Sequence, residues 1–153
     1  MHASILTKDA YRLWDDFVFA HKYASIHQTS SWAHFQANVP SRDRYWIIAV
    51  FDENNKITAG TLLIKHKYAK NCWLYCPRGP LLSYEDSDKS KAQLKVLLAK
   101  IKTIAKDEKA VFLRADPPIA DRTNQQPPTA SSTDAQQPPT ASSTDAQQPP
   151  TAS

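Results

Sequence analysis

Between Arg44 and Cys76 the chain reads RYWIIAVF, DENNK, ITAGTLLIKHKY, AKN and CWLYC: three apolar, β-branched runs separated by short polar segments. That pattern leaves little choice of fold. Branched and aromatic side chains suit a pleated strand, whereas clustered Asp, Asn and Lys favour turns. An antiparallel meander of three strands follows, its first two strands a β-hairpin. RYWIIAVF shows no polar alternation, which predicts a strand buried on both faces.

Helical patterns flank the meander. Ala10, Leu13, Trp14, Phe17, Val18 and His21 recur at helical spacing, which predicts an amphipathic helix from about Lys8 to His21 with Thr7 as N-cap. His21 lies on its apolar side, where a satisfied core histidine is the simplest reading. A shorter helix is expected to start near Thr29 or Ser30, run through SSWAHFQA and stop before Pro40. The strongest helix lies in SYEDSDKSKAQLKVLLAKIKTIAKDE, where Leu94, Leu97, Leu98, Ile101, Ile104 and Ala105 form one apolar stripe. Glu85, Asp86 and Asp88 suit the positive end of that helix. Finally AVFLRADPP predicts a short strand ended by prolines, which cannot donate to a ladder. Helix, helix, three strands, helix, strand is an α+β arrangement, with helices packed on a mostly antiparallel sheet.

The last segment is of another kind. From Gln125 the unit QQPPTASSTDA occurs twice and then begins a third time, carrying six of the eleven prolines and no aromatic or branched aliphatic residue. Such a segment cannot bury enough apolar surface to offset chain entropy, so residues 125–153 are expected to be a disordered tail. All nineteen Lys and Arg precede it, while two of the fifteen acids, Asp134 and Asp145, fall inside it, so residues 1–124 carry a net charge of +6. A basic domain of this kind suits phosphates, RNA or anionic headgroups. Neither a signal peptide nor a run long enough to cross a bilayer is evident, and a cytoplasmic protein is expected. Cys72 and Cys76, the only cysteines, stand too far apart on one strand face to bridge each other. Without further Cys or His ligands nearby they make no zinc site, and both read as small, buried, reduced residues.

Motifs for nucleotide loops, nucleophile elbows and zinc proteases are missing, and no carboxylate pair stands out from the solvated acids. No catalytic residue can be named on this basis. Three stretches remain. In HQTSSWAHFQ, Trp32 and Phe35 can simply pack on the sheet, while Gln36 is divided between packing and ligand contact. In YCPRGP, Pro77 cannot donate to a ladder, Gly79 permits positive φ, and Pro80 keeps Gly79 out of the helical region. A stiff corner results, which holds Arg78 at the sheet edge. Arg78 either pairs with Glu85 or Asp86 or offers its guanidinium to a phosphate or carboxylate. In FLRADPP, Arg114 and Asp116 share one side of a strand end, as an internal ion pair or as polar groups at a cleft mouth. Lys91, Lys95, Lys102 and Lys106 form either a solvated face or an RNA-facing stripe.

Taken in order, Gln28, Trp32, Phe35 and Gln36, then Pro77 through Leu82, then Phe112 through Pro117, resemble the Fem family. These are bacterial transferases that use aminoacyl-tRNA to build peptidoglycan interpeptide bridges. The resemblance implies a GNAT-like (acetyltransferase-like) domain over residues 1–124, covering the first part of the first of two tandem domains. The chain would then be truncated relative to its family, with an uncovered face open to association. It implies aminoacyl-tRNA as co-substrate with no cofactor or metal, a UDP- or lipid-linked muropeptide as acceptor, and no stable DNA binding. Gln36, Arg78, Gly79, Tyr84 and Arg114 are the substrate-facing candidates that it suggests. Gln36 stands where muropeptide-binding members carry a phosphate-contacting lysine, so an unusual acceptor is implied.

Overall fold

The computed structural model describes residues 1–42 and 44–119; the repeat segment lies outside them. Five strands form one sheet in the order β1-β2-β3-β4-β5. They are β1 (His2–Ile5), β2 (Arg44–Phe51), β3 (Ile57–Tyr68), β4 (Asn71–Cys76) and β5 (Leu113–Ala115). The helices are α1 (Tyr11–Ala20), α2 (Ser30–Ala37) and α3 (Ser87–Asp107).

The meander closes as its turn residues dictate. Asp52 Oδ1 accepts from the backbone N–H groups of Asn54 and Lys56, each at 2.9 Å, and Asn55 takes a positive φ of 61°. Asparagine tolerates that conformation better than most residues. Strand β1 is an addition to the expected order. Its four residues are too few to show a period, and they become a strand because β2 offers an open edge, pairing His2 with Phe51 and Ile5 with Ile48. At the opposite edge β5 runs parallel to β4, with α3 as the crossover, so the sheet is mixed.

Both faces of the sheet are covered, which explains the unbroken apolar run of β2. Trp14, Val18 and Ala33 of α1 and α2 pack on Ile47, Ala49, Leu62 and Ile64. On the other face Leu97, Ile101 and Ile104 of α3 pack on Ile48, Val50, Leu63 and Leu74. α2 starts where expected, and Thr29 caps it, its hydroxyl accepting from the Trp32 N–H at 3.2 Å. Thr7 instead precedes a 3-10 turn, Lys8–Ala10, that leads into α1, and its side chain makes no cap bond. Cys72 and Cys76 are buried free thiols. Burial pushes the Cys76 thiol up to about 12, so it stays protonated and unreactive at neutral pH.

The β3–β4 ladder stops at Ile64↔Tyr75, short of the Pro-Arg-Gly-Pro corner. Two residues further in the same register, Leu62 would face Pro77. A side-chain amide fills that step: Gln28 Oε1 accepts from the Leu62 N–H at 2.7 Å, and Gln28 Nε2 donates to the Pro77 carbonyl. Gln28 is itself fully buried, and its own carbonyl accepts from Trp14 Nε1 at 2.7 Å. Beyond the corner the chain returns to β3 through paired bonds between Gly60 and Leu81, 3.0 and 2.9 Å long.

Gly79 has a different purpose from the one expected. It does not take a positive φ; Arg78 does, at 50°, and the Gly79–Pro80 peptide is cis. A Cβ on Gly79 would lie 2.6 Å from Gln28 Nε2 and 3.0 Å from Cys76 Sγ, so glycine is required for close approach. Gln28→Ala leaves the Leu62 N–H and the Pro77 carbonyl buried and unpaired, and should cost about 2–4 kcal/mol in urea unfolding. Gly79→Ala should also destabilise. The double variant should lose less than the sum, because the new methyl occupies the space left by the amide.

Candidate functional site

Side chains alternate along β4, so Trp73 and Tyr75 face the α1–α2 side while Leu74 and Cys76 enter the α3 core. Register carries the same face across the neighbouring strands. His66 of β3 lies opposite Trp73, and Arg114 of β5 lies opposite Tyr75. The aromatic rings form a floor beyond the helices. Trp73 stacks on Phe112 with centroids 5.7 Å apart, and His66 meets the Trp73 and Tyr75 rings at 5.2 and 5.5 Å.

Charge gathers above this floor. The Tyr75 hydroxyl donates to Asp116 Oδ2 at 2.5 Å, Arg114 Nε lies 3.4 Å from Asp116 Oδ1, and the Arg114 guanidinium sits 5.4 Å from the Tyr75 ring centroid. The Tyr75 hydrogen bond is the first cause that holds the Asp116 carboxyl below its ordinary range; the charges of Arg114 and Arg78 add to it. Asp116 is therefore ionised at neutral pH. Burial, and then the bond to Asp116, hold the Tyr75 hydroxyl protonated. The pair anticipated at Arg114 and Asp116 thus exists, and it is part of a three-membered group.

Arg78 is exposed at the corner. The acids that could have neutralised it are otherwise engaged: Glu85 pairs with Lys22 at 2.6 Å, and Asp86 caps α3 by accepting from the Lys89 N–H at 3.0 Å. Gln36 is buried, and its amide oxygen accepts from Arg42. It thereby holds Arg42 in the loop between α2 and β2. Tyr84 stands behind the corner, its hydroxyl donating to the Pro80 carbonyl and its ring meeting Tyr23 edge-on at 5.4 Å. Gly79 and Tyr84 accordingly frame the corner, whereas Arg78 and Arg114 are exposed. His21 is satisfied as expected, with Nδ1 accepting from the Tyr23 N–H at 3.1 Å.

Sequence reasoning missed Arg42 and His66. Arg42 carries no local signal, since only the fold brings it near β3. The cross-strand partnership of His66 with Trp73 was implicit in the hairpin register. Burial first, and then the charges of Arg42 and Arg114, push the His66 pKa down, so the imidazole is neutral at neutral pH. Its Nε2 is buried with no hydrogen-bond partner among the described residues. No group of three or more His, Cys, Asp or Glu that could hold a metal occurs among the described residues, nor does a helix long and apolar enough to cross a membrane.

Comparison with known proteins places this geometry. The model of the FemAB family matches residues 9–139. The chain belongs to the FemAB family. Among solved structures, this FemAB chain is similar to FemX, with 26% identity and a TM-score of 0.59 over 76% of its length. It spans only 27% of the FemX chain. The same fold is seen in a probable acetyltransferase, at 15% identity and a TM-score of 0.53, covering 82% of this chain and 83% of that one. It is seen also in a GNAT family acetyltransferase from Staphylococcus aureus, at 12% identity and a TM-score of 0.51, covering 86% of this chain and 95% of that one. The GNAT-like architecture is therefore established. A search of curated proteins found no significant match.

The lowered His66 pKa sets a sign for stability against pH. The unfolded chain takes up the proton first as pH falls, so the contribution is complete above the ordinary histidine value of about 6.5. It is lost progressively as pH drops towards the lowered folded value. Urea unfolding of His66→Gln should therefore show a smaller loss of stability between about pH 7.5 and about pH 5 than the parent chain. His21, also pushed down by burial, retains its share of the effect. An NMR titration placing His66 at or above the ordinary value would contradict this.

Proposed function

We propose that this FemAB chain forms the acceptor-binding wall of an aminoacyltransferase acting in the cytoplasm. The enzyme would move an amino acid from aminoacyl-tRNA to the peptide of a UDP- or lipid-linked muropeptide, as in interpeptide bridge formation in the cell wall. One observation carries this reading: Arg78 is exposed at the corner with both neighbouring acids engaged elsewhere, Glu85 by Lys22 and Asp86 by the α3 cap.

The chemistry suits such a wall. The acceptor amine attacks the ester carbonyl of aminoacyl-tRNA; the new C–N bond forms as the C–O bond to the ribose breaks. The departing ribose oxygen leaves as a hydroxyl, and the amine gives up one proton. An ester is already activated, so the transfer would need no cofactor and no metal. What it needs is position and cations that hold phosphate in a fixed place. Guanidinium groups do this through paired hydrogen bonds. Asp116, ionised, steadies Arg114 and the Tyr75 hydroxyl, and Gln36 steadies Arg42.

A second reading, a non-catalytic half-domain that binds an anion or another protein, is favoured by the β5 edge. There Val111, Phe112 and Leu113 are 61%, 54% and 37% exposed. The test pairs charged-tRNA-dependent transfer with calorimetric binding of UDP-linked and lipid-linked muropeptide. Arg78→Ala should weaken acceptor binding by about tenfold, through loss of a charge-assisted contact, with stability unchanged to within about 0.5 kcal/mol. Binding without transfer would support the half-domain reading. Neither binding nor transfer would overturn the transferase reading.

A further inference from the structure

Helix α3 carries six lysines and two aspartates, Asp88 and Asp107, a net charge of +4. Between Lys89 and Lys106 it contains no carboxylate. Leu97, Ile101 and Ile104 turn one side of the helix to the sheet. Lys91, Lys95, Lys102 and Lys106 lie on the other side, and all four are exposed. With about 3.6 residues per turn and a rise of about 1.5 Å per residue, they fill a strip about 60° wide and about 22 Å long.

Solubility alone does not call for this arrangement. Lys91 with Lys95, and Lys102 with Lys106, are like-charge pairs at i,i+4, which weaken a helix where Glu–Lys pairs at the same spacing would strengthen it. Little nearby charge offsets them. Lys91 lies 3.7 Å from Asp88, with side chains 75% and 98% exposed, and a pair so open to water contributes little. Lys95, Lys102 and Lys106 make no ion pair among the described residues. Asp107 projects about 100° away from Lys106 around the helix. The exposed neighbours of the row, Ala92, Ala99 and Thr103, are small, so an extended ligand can approach it closely.

The shape of the row selects its ligand. A small anion would meet two lysines at most, whereas an elongated polyanion meets all four. A lipid surface is entered through the apolar side of an amphipathic helix, and that side of α3 is packed on the sheet. Single strands are held by stacking on aromatic rings, and α3 has none. We propose that the row from Lys91 to Lys106 binds the phosphate backbone of a nucleic-acid duplex, RNA or DNA, without reading its sequence. Lysine ammonium groups meet phosphates as point charges, and the counterions they displace make such binding sensitive to salt. The row lies on the α3 side of the sheet, away from the Arg114 face, and the inference does not rest on the transferase reading.

The experiment uses the full 153-residue chain. Fluorescence anisotropy follows labelled RNA and DNA duplexes of one sequence from about 50 to about 200 mM salt. Phosphatidylserine vesicles are tested beside them by co-sedimentation. Four phosphate contacts should give log affinity against log salt a slope of about −3 to −4. Lys95→Gln/Lys102→Gln should make that slope shallower by about 2 and weaken binding by about tenfold or more. Lys56→Gln/Lys70→Gln removes the same charge from exposed turns and should weaken binding by less than about twofold. Glutamine keeps a good helix propensity, so urea unfolding of the α3 variant should match the parent chain. Binding of one duplex alone with this pattern names the source, and binding of both assigns the row to duplex backbones in general. Binding of neither, a salt-independent affinity, equal weakening by both variants, or a preference for the vesicles would overturn the inference.

Discussion

The amide of Gln28 is the interaction on which the rest of this structure depends. Pro77 has no N–H, and the backbone ladder between β3 and β4 ends before it. An unfilled gap there would leave the Leu62 N–H and the Pro77 carbonyl without partners in the interior. One planar amide, with a donor and an acceptor at the right separation, replaces the missing rung. Because Gln28 is also tied to Trp14 through its carbonyl, the same residue registers α1 against the sheet. Helix, strand and corner are therefore set by one buried group, and such groups are costly to leave half satisfied.

The consequence for the site is geometric. Once the corner is pinned from inside by Gln28 and from behind by Tyr84, Arg78 is left on the outside in a left-handed conformation. Its two nearest acids in sequence serve other purposes, and its charge adds to that of Arg114 in holding the Asp116 carboxyl below its ordinary range. Arg114 reaches the same place only because β5 runs parallel to β4 after the α3 crossover. An antiparallel return would have presented a different register to Tyr75. The two faces of the sheet thus acquire different electrostatics: arginines over aromatic rings on one, and Glu108 shared by Arg44 and Lys65 on the other.

Much of the fold was legible because it is local. The meander, the start of α2 near Thr29, the apolar stripe of α3 and the proline-terminated last strand follow from side-chain sterics within a few residues. The first strand was not legible, since His2–Ile5 owes its conformation to the open edge of β2 and not to its own pattern. In the site, Arg78 and Arg114 could be singled out from motif chemistry. The partners of Gln36 and Gln28 could not, because Arg42, Leu62 and Pro77 come to them through the fold. The part played by Gly79 was misjudged for a related reason: a glycine between Arg and Pro suggests a backbone need, whereas the actual need is room for a side chain 51 positions earlier in the chain.

What the sequence alone determined is therefore the elements after the first strand, their order, and the ordered motifs that mark a FemAB chain. These depend on periodicity, turn chemistry and residue type, all of which act over short distances. Only the tertiary structure decided which charges remain available. Glu85 went to Lys22, Asp86 to the α3 cap and Glu108 to Arg44 and Lys65, and each choice turns on which distant groups the sheet brings within hydrogen-bond reach. An arginine in a sequence is only a cation; its surroundings after folding determine whether it is an anion site.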